Sequence, residues 1–325
     1  VPTITGTTVN TANSQISVTF GEAVYDTNAG SGALEAADFA VTIADNGGAA
    51  GLSSATPTAI AISGNVYTLT LATTGTATGA EVYTVAPIAN SIYDASGNVA
   101  AASQSNNTVT LNDKTAPTIT AIGTGAFNWG AVLNATEDDS NGVVTVTTSG
   151  AEDGQVVTIV LNGVTDTGSV SSNSATITIA ASDLQGLSEG SHTMTADVSD
   201  AAGNAASQVT SASFSVDTVA PTVNYVTGAE NNGTYKTGDV LNISARFSEE
   251  ITVSGGTPYL TLSVGAAYNV AYTSGTTTQY LNFQYTVQDT HTSADLDYAA
   301  TSSLNANGAT IADAAGNAAT LTLAS

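Results

Sequence analysis

The sequence predicts an all-β chain of three antiparallel β-sandwiches in tandem. Its dominant period is two: Ile16-Ser-Val18-Thr-Phe20, Tyr67-Thr-Leu69-Thr-Leu71 and Ala175-Thr-Ile177-Thr-Ile179 alternate apolar residues with Ser or Thr, as strands buried on one face do. Clusters of Gly, Asn, Ser and Asp interrupt the alternation at the roughly 8- to 12-residue spacing of sandwich turns. A third observation counts the sandwiches. Asp-Ala-Ala-Gly-Asn occurs at Asp200–Asn204 and Asp313–Asn317, with a near copy at Asp94–Asn98. The first two of the three copies along the chain are followed, 15 and 13 residues after the Asn, by Asp-x-x-Ala-Pro-Thr at Asp113–Thr118 and Asp217–Thr222. Division at these strings gives units 1–113, 114–217 and 218–325, each long enough to bury one core but too small to be very stable.

In chain order, unit 1 carries the strands around Ile16–Phe20 and Tyr67–Leu71, with a short helical piece expected at Leu34–Phe39. Unit 2 alternates at Val144–Thr147 and Ala175–Ile179; Ser182 is placed to cap a single turn reaching Leu187, ahead of one strand at His192–Val198. Unit 3 alternates at Leu241–Ile243 and Leu281–Tyr285. Pro117 and Pro221 fix the entry to units 2 and 3 and keep the preceding residue extended, so the linkers are short and stiff. Val18-Thr-Phe20-Gly-Glu22 matches Ala245-Arg-Phe247-Ser-Glu249, whereas unit 2 has its own signature.

Composition excludes several functions. The chain has 27 Asp and Glu against only Lys114, Lys236 and Arg246, a formal net charge of -24. Nucleic acid and anionic membranes need a basic face that this chain lacks, while divalent cations suit it. Without cysteine there is no disulfide staple, which fits a long secreted protein. No run of 18 apolar residues and no basic segment ahead of an apolar stretch is present, so neither a membrane span nor a signal peptide is expected. Val1 and Ser325 read as cuts in a larger protein.

Unit 2 carries Leu133-Asn-Ala-Thr-Glu-Asp138, Gly150-Ala-Glu-Asp-Gly-Gln155, Val157-Thr-Ile-Val-Leu-Asn-Gly163, Ala181-Ser-Asp-Leu184 and the run His192–Asn204. With these it resembles, over nearly its whole length, the immunoglobulin-like repeats of giant bacterial surface adhesins of the biofilm-associated and RTX type. Unit 3, with Phe247-Ser-Glu-Glu-Ile-Thr-Val253, Thr257-Pro-Tyr-Leu-Thr-Leu262, Ala294-Asp-Leu-Asp-Tyr298 and Gly308–Asn317, is similar to another immunoglobulin-like repeat of the same proteins. Unit 1 departs most between Thr27 and Gly51. The resemblance implies three immunoglobulin-like domains in an extended, monomeric array outside a bacterial cell. Their partners are neighbouring repeats of the same chain, stiffened by Ca²⁺ at the joints, and a surface glycan or protein is met through other domains, in cell adhesion or biofilm.

Sandwich topology gives the calcium expectation a residue list. Strands alternate direction, so the linker, the loop between the second and third strands and the loop before the last strand share one end. The joint between units 1 and 2 would gather Asp113, Glu152, Asp153, Asp200 and Asn204; the joint between units 2 and 3, Asp217, Glu249 or Glu250, Asp313 and Asn317. The free end of unit 1 keeps Glu22, Asp94 and Asn98 without a linker Asp, and should bind most weakly. Calcium takes six to eight hard oxygens at flexible geometry, and no Cys or His cluster offers a zinc site. The competing reading of Asp-x-x-Gly-Asn is a hairpin turn, with Asp closing an Asx-turn and Gly or Asn at positive φ. Asp138, Asp139, Asp295 and Asp297 serve either as further ligands or as solvated loop charge.

No catalytic site is expected. Gly186-Leu-Ser188-Glu-Gly190 has the Gly-x-Ser-x-Gly spacing, but a nucleophile elbow needs a strand-to-helix turn on a parallel sheet. His192 and His291 lie in different units, and Trp129 reads as a partly buried anchor. The leading function is an extender of a secreted surface adhesin. The alternatives are a ligand-binding segment, with the Tyr25–Gly32 loop of unit 1 meeting a glycan or protein, and an accessory module of a secreted polysaccharide-degrading enzyme.

Overall fold

The computed structural model describes residues 1–325 and is an almost entirely antiparallel β-protein. Its buried apolar residues fall into three clusters that share no member: Ile4 to Leu111, Ile119 to Val216 and Leu241 to Leu323. Each cluster is fed by alternate residues of its strands. In Gln15–Phe20, Ile16, Val18 and Phe20 are buried while the intervening Ser and Thr are not.

In the first cluster a four-stranded sheet runs Ile4–Val9, Gln15–Phe20, Val66–Thr70, Ala59–Ser63, and a three-stranded sheet runs Thr108–Thr110, Val82–Pro87, Phe39–Ala44. Between them Phe39 of the second sheet meets Tyr67 of the first at 6.2 Å, and the buried Tyr83 hydroxyl donates to the Asn13 carbonyl at 3.1 Å. The helical signal at Leu34–Phe39 is a three-residue turn, Ala36–Asp38.

The second cluster draws on Gly142–Ser149 with Ser174–Ile179, on Val156–Leu161 with Val164–Ser169 and Met194–Asp197, and on Phe214–Val216 flanked by Val132–Leu133 and Gly190–His192. Trp129 is 5% exposed, stacked on Phe127 at 5.2 Å and meeting Phe214 edge-on at 5.5 Å. It is buried more completely than a partial anchor. Two local expectations change here. His192–Val198 is not one strand: Gly190–His192 pairs with Phe214–Val216, and Met194–Asp197 pairs with Val156–Leu161, because the chain passes from one sheet to the other at Thr193. Ser182 does not cap the turn Ala181–Leu184; the first N–H, of Ala181, donates instead to the side chain of Asn141 at 3.1 Å.

In the third cluster one 16-residue strand, Val240–Gly255, serves both sheets. Its first half pairs with Val223–Gly228 and Thr278–Thr286, and its end pairs with Ala309–Ala312. The register breaks between Arg246 and Ile251. Such irregularities re-aim side chains, and this one carries Glu249 and Glu250.

Candidate metal centre

The three Asp-x-x-Gly-Asn loops fold alike. In each, the Asp N–H donates to the Asn carbonyl (3.0, 3.1 and 3.2 Å). The Asn N–H returns to one carboxylate oxygen of the Asp (2.8, 2.7 and 2.8 Å), and the Asn amide donates to the other (2.7, 2.8 and 2.8 Å). Gly97, Gly203 and Gly316 have φ of 79°, 87° and 96°, a region open to glycine; the Asn residues do not take positive φ. The turn reading is thus correct as local structure. It also fixes three carboxylates, all at most 6% exposed, with one lone pair on each oxygen already used.

Only one loop meets two more carboxylates. Oxygens of Asp217, Glu249 and Asp313 lie within 4.8 Å of one another, and no other group of three acidic or His side chains is that close. Asp217 arrives at the end of Phe214–Val216, its N–H bonded to the Leu133 carbonyl at 3.0 Å. Glu249 comes from the break in the long strand; Glu250, its alternative in the sequence, is outside the group. Burial first, then the charges of Asp313 and Glu189, hold the Asp217 carboxyl above its ordinary range. Burial, Asp313, Asp217 and Glu189 do the same to Glu249.

Asn317 acts as a pin across this joint. Its amide donates to Asp313 and to the Asp217 carbonyl, both at 2.8 Å, and its oxygen accepts the Ala135 N–H at 2.9 Å. Asn134 adds a bond to the Ala315 carbonyl at 2.9 Å. With its amide so engaged, Asn317 positions the carboxylates and the adjoining loop.

Sequence reasoning missed Glu189. Gly190 pairs opposite Val216, which puts Glu189 beside the residue after Val216, Asp217. Both its oxygens accept from Thr218, the shorter contact 2.5 Å from the hydroxyl. The Gly-Leu-Ser-Glu-Gly string therefore contributes its Glu, not its Ser. The sequence marks it only as an acidic residue just ahead of a strand; the pairing with Phe214–Val216 that brings it to Asp217 is not written locally. Asp138 stands close by, 9% exposed, its carboxyl raised by burial, Asp139 and Glu189.

At the other predicted sites no three carboxylates come this close. Asp113 accepts the Thr115 N–H at 2.8 Å, its Cβ set against Gly79 of unit 1, while Asp153 accepts the Ser172 N–H at 2.7 Å. Glu152 reaches the Asp200 loop, accepting the Ala201 N–H at 2.9 Å. Asn204 bonds only within its own loop. Asp113, Glu152 and Asp200 thus do not converge as Asp217, Glu249 and Asp313 do, because the linker after Asp113 is tied back through Lys114 and Thr115 to the Ala77 carbonyl. At the end of unit 1 the Val1 amino group lies 3.3 Å from Asp94 and 3.8 Å from Glu22. Hydrogen bonds from the Asn98 side chain and backbone lower the Asp94 carboxyl to about 2.

The donor set at the second joint fits a hard divalent cation. It is all oxygen, comes from two units, and contains carboxyls whose charges oppose one another; the only ion pairs in the protein use Val1. Asp217, Glu249 and Asp313 would hold the ion, with the charge of Glu189 nearby, and the oxygen-only set favours calcium over zinc.

No protein-family profile matches the chain, and no curated protein does. Solved structures do. A crystal structure of a bacterial immunoglobulin-like domain from the M. primoryensis ice-binding adhesin is 30% identical over 31% of this chain and 95% of that domain, with a TM-score of 0.23. A Ca²⁺-stabilised adhesin with which an Antarctic bacterium binds ice is 20% identical over 88% of this chain, TM-score 0.34; this chain spans 65% of that one. A tetra-tandem repeat in the extending region of a large adhesion protein is 18% identical over 97% of this chain and 74% of that one, TM-score 0.30. On the identity across nearly the whole of the first of these domains, the chain belongs to the bacterial immunoglobulin-like repeats of large adhesins.

Proposed function

We propose that this chain is an extender segment of a large bacterial surface adhesin, with domains at 1–113, 114–217 and 218–325, and that calcium held between the second and third domains stiffens their joint. The observation that carries the reading is the meeting of Asp217, Glu249 and Asp313, two of them from one side of the joint's Pro-Thr string and one from the linker itself. When bound, the ion neutralises the mutual repulsion of these groups. The residues do the rest: Asn317 orients Asp313 and clasps the linker carbonyl, and Asn134 and Ala135 bind the loop of the next domain. Without the ion, carboxylate oxygens within 4.8 Å of one another repel by about 3.5 kcal/mol per pair at an effective dielectric of 20, less where water screens them. The joint then opens or flexes at its hydrogen bonds.

The first joint differs in kind. Its carboxylates are set farther apart and its linker is tied to the preceding domain, so calcium should bind there more weakly than at the second. No helix is long and apolar enough to cross a membrane, and secretion to the cell surface is part of the proposal. Small-angle X-ray scattering in calcium and then in excess chelator tests the reading: the maximum dimension should be better defined in calcium and broaden without it. Identical scattering curves, at calcium concentrations of several millimolar, would remove the joint from the account.

A further inference from the structure

A cleft of about 780 Å³ opens in the third unit between the segments Gly228–Tyr235 and His291–Tyr298. It is remote from the metal centre, since Leu241 on its floor precedes Glu249 by eight residues of one strand, on the order of 25 Å. The floor is made by Leu241, Ile243, Leu262, Val264 and Tyr285, inner-face residues of the sandwich. Rings of Tyr235, His291 and Tyr298 line it too. Their hydroxyls, and one ring nitrogen of His291, are engaged within the protein. The Tyr285 hydroxyl meets His291 Nδ1 at 2.8 Å, Tyr298 donates to the Ala324 carbonyl at 2.8 Å, and Tyr235 donates to the Asn231 carbonyl. The rings therefore offer carbon surface to a ligand rather than hydroxyl groups.

The rim is polar and mixed. Asn231, Asn232, Asp295 and Asp297 are exposed there, giving amide donors together with amide and carboxylate acceptors. No Lys or Arg lines the cleft, so an anion finds no counter-charge. A bare cation would leave the apolar floor and the amide donors unused. A wholly apolar ligand would cover the carboxylates without pairing them, at a desolvation cost. A molecule with an apolar ring face and a girdle of hydroxyls, each needing both donor and acceptor, answers every part of the lining, and the volume lies within the range of small-molecule sites.

We propose that this cleft binds a neutral saccharide, its ring face against the apolar floor and aromatic rings, and its hydroxyls on Asn231, Asn232, Asp295 and Asp297. The test uses the full chain and a panel of methyl pyranosides and neutral disaccharides, read by saturation-transfer NMR and titration calorimetry. At least one sugar should bind, and N231A/D295N together should weaken it at least 10-fold. A294W, which places an indole on the exposed wall of the cleft, should abolish binding, while T165A, on an exposed strand position of the second unit, leaves it unchanged. Silence across the whole panel overturns the proposal. So does binding that survives A294W, or a cleft that accepts a tetraalkylammonium ion or a lysine-rich peptide but no sugar.

Discussion

Replacing Glu249 by Gln should make the protein more heat-stable without calcium and less responsive to it. The substitution keeps the side-chain shape and removes one of three charges whose oxygens lie within 4.8 Å. At that distance and an effective dielectric of 20, each of its two pairings, with Asp217 and with Asp313, repels by about 3.5 kcal/mol. Glu249 and Asp217 are only half-buried, so water screens this; about 1 to 2 kcal/mol in total is the expected relief. In a domain of this size 1 kcal/mol moves Tm by roughly 4 to 8 °C. Calorimetry at pH 8 in chelator should therefore show the third domain of E249Q melting about 5 to 10 °C above the parent. In calcium at ten times its Kd the parent gains about 1.4 kcal/mol by mass action, and the variant, short of a charged ligand, should gain less than half as much. A variant that melts below the parent in chelator, or that responds equally to calcium, would refute the reasoning.

The same carboxyls set a pH dependence. Because Asp217 and Glu249 have raised folded values, the folded state holds more protons, so stability in chelator is greatest below the ordinary carboxylate range and is lost as pH rises through the raised values; melting curves from pH 4 to 8 should fall in that window, and calcium should reverse the fall at the upper end. Asp94 has the opposite sign: its contribution is present above its ordinary value of 3.8 and is lost as pH drops toward about 2, which amide exchange in the Asp94–Asn98 loop should report. N317A removes three hydrogen bonds across or beside the joint at about 1 kcal/mol each, and should broaden the scattering envelope even in calcium. W129F should lie within about 1 kcal/mol of the parent, because the buried indole N–H has no partner and its loss offsets the lost area, whereas W129A should cost about 3 to 5 kcal/mol in denaturant melts.

Much of the architecture was legible because strands of this kind announce themselves by period two. Gln15–Phe20, Ser174–Ile179 and Thr278–Thr286 appear within a few residues of where the alternation puts them. The sheet change at Thr193 was not legible, since His192–Val198 keeps its alternation while its partners change. The acidic residues of the second joint were legible from the repeats. Glu189 was hidden because its place depends on a register, Gly190 opposite Val216, that no local pattern encodes. The inequality of the two joints was hidden for a similar reason. Asp113 and Asp217 head the same motif and each carboxylate meets the backbone two residues on, but only the Asp217 carbonyl is bound from the next domain, by Asn317.

Calcium is expected to order the joint between the second and third domains. The chain has no cysteine, so spin labels can be placed singly at exposed positions on either side, as in T165C/A271C. The inter-label distance distribution, measured by pulsed electron spin resonance, should be one narrow peak in millimolar calcium and a broad one in chelator, with D313N broad in both. Distributions that coincide with and without calcium in the parent would show that calcium does not order this joint.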